Sequence, residues 1–156
     1  MKKYFLALFL VLAIASQIWA AAGTVVVVED KVVIEGKMAK KIITLTCTGG
    51  TAGEAGTVPN TTLPANIIKG WYLYSAETNP GAGPPDANYD IVINDADGVD
   101  VANGLLMNRH TSTTELVNLG MGVYGYPLIT GALTIVQTNQ TTASAVWVIT
   151  LTFVSE

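Results

Sequence analysis

Acidic side chains concentrated in one short segment are the residues best suited to bind an ion. Asp95, Asp97 and Asp100 lie within the run Asn94-Asp95-Ala96-Asp97-Gly98-Val99-Asp100. Ca²⁺ takes several carboxylate and carbonyl oxygens, so the three aspartates are candidate metal ligands. The segment departs from an EF-hand loop, because no helix pair flanks it and no Glu stands at the twelfth position. The alternative is a tight turn, since Gly accepts positive φ angles and Asp tolerates them.

The other residues that could carry chemistry give little support to an enzyme. His110 is the single histidine, so a metal cluster or a Ser-His-Asp triad would depend on it alone. Ser112 and Glu115 lie close to it in sequence but fit a capping box that opens one helical turn. Cys47 is the single cysteine, and we expect it to be buried in a strand. We therefore predict a non-enzymatic protein without a catalytic residue, whose one conceivable cofactor is a Ca²⁺ ion at the acidic segment.

The densest aromatic segment runs from Asn66 to Ala76. Strand alternation puts Tyr72 and Tyr74 on one face of it and Trp71 on the other. These three residues are candidate interface contacts, because aromatic side chains are enriched at interface centres, and core packing is the alternative. Exposed aromatic rings could instead stack on sugars, for which the candidates are Trp71, Tyr72, Tyr74, Tyr124 and Tyr126.

Composition and charge exclude several classes of protein. The chain has 156 residues, of which 50% are apolar and 13% charged, with 8 basic against 12 acidic side chains and a net charge of −4. Binding to a phosphate backbone needs clustered Lys and Arg, so nucleic acid is not an expected partner. The length fits a single domain.

The first residues have the layout of a secretory signal peptide. Lys2 and Lys3 precede an uncharged apolar stretch, and the run Ala20-Ala21-Ala22 supplies small residues at a cleavage site. We predict cleavage after Ala22, so that residues 23–156 form the mature domain outside the cytoplasm. The alternative is an uncleaved anchor, which would be the only membrane contact of the protein.

The mature chain has the texture of short strands separated by turns. Val, Ile, Thr and aromatic runs alternate with Gly, Pro, Asn and Asp clusters, and no long helical pattern occurs. We predict an all-β fold, an antiparallel β-sandwich or jelly roll of about seven or eight strands after the N-terminal hydrophobic helix. In the segment 41–47, alternation predicts that Ile43, Leu45 and Cys47 share the apolar face.

Three strand pairings follow from the turn signals. Glu29-Asp30-Lys31 predicts a hairpin between Thr24–Glu29 and Val32–Glu35. Asp97-Gly98 predicts a second hairpin, from the strand at 89–93 into Val99-Asp100-Val101. The polar turn at 139–142 predicts that strands 133–138 and 145–153 pair with each other.

One part of the sequence resembles a known group of proteins. The run from Asn88 to Val101 matches the pattern N-Y-D-I-x-I-x-D-x-D-G-V-D-V, and an N-R-x-T-x-x-T-E stretch follows from Asn108 to Glu115. This combination, followed by a late strand at 133–139, resembles small uncharacterised bacteriophage and prophage proteins. The resemblance implies a virion structural role, such as a head, tail or decoration subunit.

Two functional hypotheses follow. The first is a non-enzymatic, phage-type structural subunit that self-associates or docks on a larger particle, with other copies or other virion proteins as partners. Apolar strands with few charged residues at their edges favour it, because such edges pair with other chains. The second is a secreted β-sandwich module that binds a glycan or another small ligand in an aromatic groove, with Ca²⁺ at the acidic segment. The protein would accordingly be located in a virion or outside the cytoplasm.

Overall fold

The computed structural model describes residues 22–35, 38–51, 53, 55–120 and 125–155. Within them the chain is nearly all-β, with two antiparallel sheets of five and three strands and one short helix. The elements are β1 (Thr24–Glu35), β2 (Met38–Thr48), β3 (Thr61–Leu63), α1 (Ala65–Ile68), β4 (Tyr72–Pro80), β5 (Asp90–Asn94), β6 (Glu115–Asn118), β7 (Leu133–Thr138) and β8 (Val146–Ser155).

The five-stranded sheet has the order β1-β2-β8-β4-β6. Its centre is β8, which pairs with β2 on one side and β4 on the other. Residues opposite each other in an antiparallel ladder share a face. The row Ile43, Leu151 and Ala76 is therefore one stripe across three strands, and all three side chains are buried.

The three-stranded sheet has the order β3-β7-β5, so β7 lies in its centre. Ile93 of β5 and Thr61 of β3 both pair with Ile135 of β7. Ile91, Ile93 and Ile135 are fully buried. The buried side chains of this sheet and of the five-stranded sheet belong to one hydrophobic cluster, which means that the two sheets share a core.

A short chain of hydrogen bonds connects polar groups within this core. Trp147 Nε1 donates to Gln137 Oε1 at 2.5 Å, and Gln137 Nε2 donates to Cys47 Sγ at 3.2 Å. Gln137 lies on β7 and the other two residues lie on the five-stranded sheet. These bonds therefore tie the sheets together and satisfy the buried indole N–H.

Two further buried hydroxyls, those of Tyr89 and Thr78, lie near each other without a hydrogen bond. Tyr89 and Thr78 are buried, and their hydroxyls lack a partner at hydrogen-bonding geometry. Burial raises the pKa of Tyr89 to about 12, an effect that the nearby Thr78 hydroxyl opposes. The Tyr89 ring also packs against Trp147, with the ring centroids 5.8 Å apart. Tyr89 is thus a neutral core residue.

Two of the predicted pairings are wrong. Glu29-Asp30-Lys31 forms a bulge inside β1 and not a turn, because β1 continues along β2 on both sides of it, from Thr24↔Thr48 to Glu35↔Met38. The strands at 133–138 and 146–155 do not pair with each other, since β7 lies in one sheet and β8 in the other. The whole of β1 instead pairs with the next strand, β2. β7 and β8 pair with strands of two different sheets, β7 with β5 and β8 with β2.

The predicted acidic hairpin is present but short. Asp95 N donates to Val99 O at 2.9 Å and Gly98 N donates to Asp95 O at 3.1 Å, with Gly98 at φ 81°. The predicted return strand, Val99-Asp100-Val101, forms only the isolated bridge Asn94↔Asp100. The helical turn expected at Ser112–Glu115 is wrong, because Glu115 begins β6 and pairs with Thr78.

The predicted leader, residues 1–22, lies outside the described residues except for Ala22. Within the described part of the chain, no helix has the length and apolar character needed to span a bilayer.

Candidate functional site

The carboxylate of Asp95 organises the acidic turn from within. Its Oδ1 accepts hydrogen bonds from the backbone N–H groups of Asp97 and Val99, both at 2.9 Å. This is the Asx-turn geometry through which Asp stabilises tight turns. One of the candidate metal ligands therefore already serves the backbone of its own loop.

Asp100 has the same role on the other side of the turn. Its Oδ1 accepts from Ile93 N at 3.2 Å and Ala102 N at 3.0 Å, and its Oδ2 accepts from Gly104 N at 2.7 Å. Asp97 is exposed at the tip. Among the described residues, no group of three or more His, Cys, Asp or Glu side chains is placed to hold a metal ion. The cation site at Asp95, Asp97 and Asp100 stays a prediction, and turn formation accounts for the observed bonds.

His110 lies in an exposed loop. Its backbone N–H donates to Glu115 Oε2 at 2.7 Å, and its ring Nδ1 accepts from Ser112 N at 3.1 Å. Arg109 Nη1 lies 3.7 Å from the same Glu115 oxygen. Glu115 thus holds the backbone of the loop. It does not orient the imidazole, whereas the acid of a catalytic triad does.

Cys47 is a buried free thiol on β2, as the sequence predicts. Burial raises the pKa of this thiol to about 11, although the Gln137 hydrogen bond opposes the shift. Because the thiolate is the nucleophile, we expect this cysteine to react slowly at neutral pH.

Trp71 packs against the core beside a buried lysine. Lys41 Nζ lies 4.9 Å from the centroid of a Trp71 ring, donates to the Ile67 carbonyl, and forms an ion pair with Glu29 at 2.9 Å. Lys41, on β2, thereby contacts β1, α1 and the residue that precedes β4. Of the three predicted interface aromatics, Trp71 is the one that the structure places against the core.

Tyr72 and Tyr74 lie on the opposite face, as predicted, and meet Tyr126 from the loop before β7. The Tyr74 and Tyr126 ring centroids are 4.7 Å apart at an interplanar angle of 45°. Hydrogen bonding to Tyr126 raises the pKa of Tyr74. A bulge between Leu73 and Ser75 leaves Tyr74 unpaired in the ladder. Tyr124, another candidate for sugar stacking, lies outside the described residues.

The three tyrosines line a surface cavity, here called the tyrosine cleft. Its volume is about 350 Å³, and its other lining residues are Met38, Gly125, Val154 and Ser155. A second cavity of about 230 Å³ shares Met38, Tyr74 and Val154 with it and adds Ala39, Lys40 and Thr152. The sequence pointed to the tyrosines, but nothing in it could show that Met38 and Val154 lie beside them.

A second candidate surface is the free edge of β1. The sequence predicted apolar strand edges in general but did not indicate that β1 provides one. β1 is 12 residues long and pairs with β2 on one side; on its other side no strand of the described chain is present. The relative exposures of Val26, Val27 and Val28 are 57%, 40% and 45%. The predicted hairpin concealed this edge, because it placed the two halves of β1 against each other.

The fold defines the protein as an all-β chain of two antiparallel sheets with a shared core. No family model matches the chain, and neither the curated proteins nor the solved structures provide a match.

Proposed function

We propose that this chain is a non-enzymatic structural subunit of the phage or prophage type, which acts by self-association and thereby builds or docks on a larger particle. In this proposal its two sheets form a β-sandwich or jelly roll, and the assembled protein is located in a virion or outside the cytoplasm. The observation that carries the proposal is the free, valine-rich edge of β1.

An unpaired edge strand presents a row of backbone N–H and C=O groups to solvent. Monomeric β-proteins protect such edges with short strands, charged side chains or Pro. The opposite edge of this sheet, β6, is short, with 4 residues. The edge of β1 is long, and its run Val25-Val26-Val27-Val28 contains no charged residue. This contrast supports β1 as the surface that another chain covers.

A second copy of the same chain is the partner that fits this edge. Val26 and Val28 pair with Thr46 and Thr44 on the face away from the core, whereas Val27 pairs with the buried Leu45. Antiparallel pairing of two copies about a two-fold axis at Val27 sets Val26 opposite Val28 of the second copy. Both residues of each such pair then lie on one face, as an antiparallel ladder requires. The result is a closed dimer with a continuous ten-stranded sheet.

Light scattering during size-exclusion chromatography tests this proposal. We expect the purified chain to have twice the mass of a single chain, as the two-fold dimer requires. The double variant Val26→Lys/Val28→Lys places four lysines at the two-fold axis and should have the mass of one chain. Val99→Lys is the matched control, because Val99 is 60% exposed and lies in the acidic turn. A single-chain mass for the wild type, or an unchanged oligomer in the double variant, would refute the role of β1.

A further inference from the structure

The tyrosine cleft is built by three neighbouring strands and one loop. Lys40 of β2, Val154 of β8 and Tyr72 of β4 are in register across the sheet. The adjacent row, Lys41, Phe153 and Leu73, is buried. Because side chains alternate along a strand, the cleft lies on the face of the sheet that points away from the core. It is therefore a surface feature, separate from the edge of β1.

We propose that the tyrosine cleft binds a neutral oligosaccharide. This function goes beyond self-association and does not depend on it. The cleft offers the two kinds of group that recognise sugars, since aromatic rings pack on the C–H face of a pyranose and hydroxyl groups bond to the sugar hydroxyls. Tyr72, Tyr74 and Tyr126 supply both, and Ser155 adds a further hydroxyl at the same cavity.

The charge of the lining selects the class of ligand. The described residues that line the main cavity include no charged side chain, and those of the adjoining cavity include one, Lys40. A phosphorylated or carboxylated ligand would need a cationic partner in the main cavity, whereas an uncharged sugar needs none. The uncharged described lining of the main cavity therefore complements a neutral ligand.

The shape of the cleft indicates more than one sugar ring. The two cavities measure about 350 Å³ and 230 Å³ and share Met38, Tyr74 and Val154, so they form adjoining lobes of one groove. Their combined size falls within the usual range of ligand pockets, about 300–1,000 Å³. Tyr74 lies where the lobes meet, beside Tyr126, and is positioned to contact rings in both.

The test is calorimetric titration of the full chain with four probes: cellotetraose, maltotetraose, mannotetraose and tetra-N-acetylchitotetraose. We expect at least one to bind at one site per chain with a Kd at or below about 1 mM. Tyr74→Ala should raise this Kd by about tenfold or more. Tyr74→Phe should retain most of the affinity, because the ring remains. Leu116→Ala is the control, since it removes an exposed apolar side chain on β6 and should leave the Kd unchanged.

Three outcomes would overturn the proposal. The first is no binding of any probe at about 10 mM, ten times the expected Kd limit. The second is binding that neither Tyr74→Ala nor Tyr126→Ala weakens while both variants keep the wild-type melting transition. The third is a lower oligomer mass for Tyr74→Ala, because the cleft would then be a subunit contact. The proposed self-association is judged separately, by the masses of the wild type and the β1 double variant.

Discussion

Lys41 and Glu29 form one ion pair, yet we expect their removal to have unequal effects on stability. The Lys41 side chain is 9% exposed and the Glu29 side chain 41% exposed. Lys41→Met keeps the aliphatic stem but removes the donor to the Ile67 carbonyl and the cation beside Trp71. Leaving the partly buried Ile67 carbonyl without its donor costs about 1–3 kcal/mol, and the contact of the cation with the ring contributes about 0.5–1 kcal/mol. The free energy of unfolding should therefore fall by about 1.5–4 kcal/mol in Lys41→Met.

The matched variant is Glu29→Gln, which removes the other charge of the same pair. The half-exposed Glu29 is screened by solvent, and exposed ion pairs contribute about 0–1 kcal/mol. We expect Glu29→Gln to lower the free energy of unfolding by at most about 1 kcal/mol.

Urea denaturation followed by tryptophan fluorescence measures both changes. The dependence of the free energy on urea should be the same in the three proteins, so that midpoints can be compared. Equal losses of unfolding free energy in the two variants would show that the ion pair dominates. An unchanged stability in Lys41→Met would show that the Ile67 and Trp71 contacts contribute nothing. Either result would refute the reasoning.

Three further predictions follow from buried or hydrogen-bonded groups. Hydrogen bonds from Thr141 and Thr142 lower the pKa of Asp86 in the folded protein. The ionised Asp86 therefore stabilises the fold fully above the pKa of the unfolded chain, about 3.9, and this stabilisation is lost as the pH falls through the lower pKa of the folded state. Acid titration of the melting temperature should show a shallower loss in Asp86→Asn than in the wild type, and parallel curves would contradict this. Cys47 should not react with a thiol reagent at pH 8 until urea unfolds the chain, because its pKa is about 11 in the fold; rapid labelling of the native protein would show that the thiol is accessible. Asp100→Ala removes the acceptor of three backbone N–H groups and should lower stability by about 2 kcal/mol, equally in Ca²⁺ and in chelator; a loss confined to Ca²⁺ would indicate a bound cation.

The sequence predicted the fold class because strand signals are local. In β2 the alternation of Ile43, Leu45 and Cys47 with more polar neighbours is visible in the chain, and all three side chains are buried as expected. The tight turn at Asp97-Gly98 depends on the conformational tolerance of two adjacent residues and was also predicted.

The pairing of strands was not predictable in the same way. A turn signal such as Glu29-Asp30-Lys31 is weak beside the eleven paired positions that join β1 to β2, so the chain continues as a bulged strand. The two partners of β8, namely β2 and β4, are distant from it in the sequence, so no local signal indicates them. The tyrosine cleft depends on these same pairings, which bring Met38 and Val154 next to Tyr72.

The position of β8 has a consequence for the synthesis of the protein. β8 is the last of the eight strands among the described residues but lies in the middle of the five-stranded sheet, between β2 and β4. Until the ribosome has completed β8, the pair β4 and β6 cannot be joined to β1 and β2, because β8 is the strand that pairs with both β2 and β4. The five-stranded sheet therefore closes only after β8 has emerged, whereas the β1–β2 ladder and the three-stranded sheet consist entirely of residues made earlier.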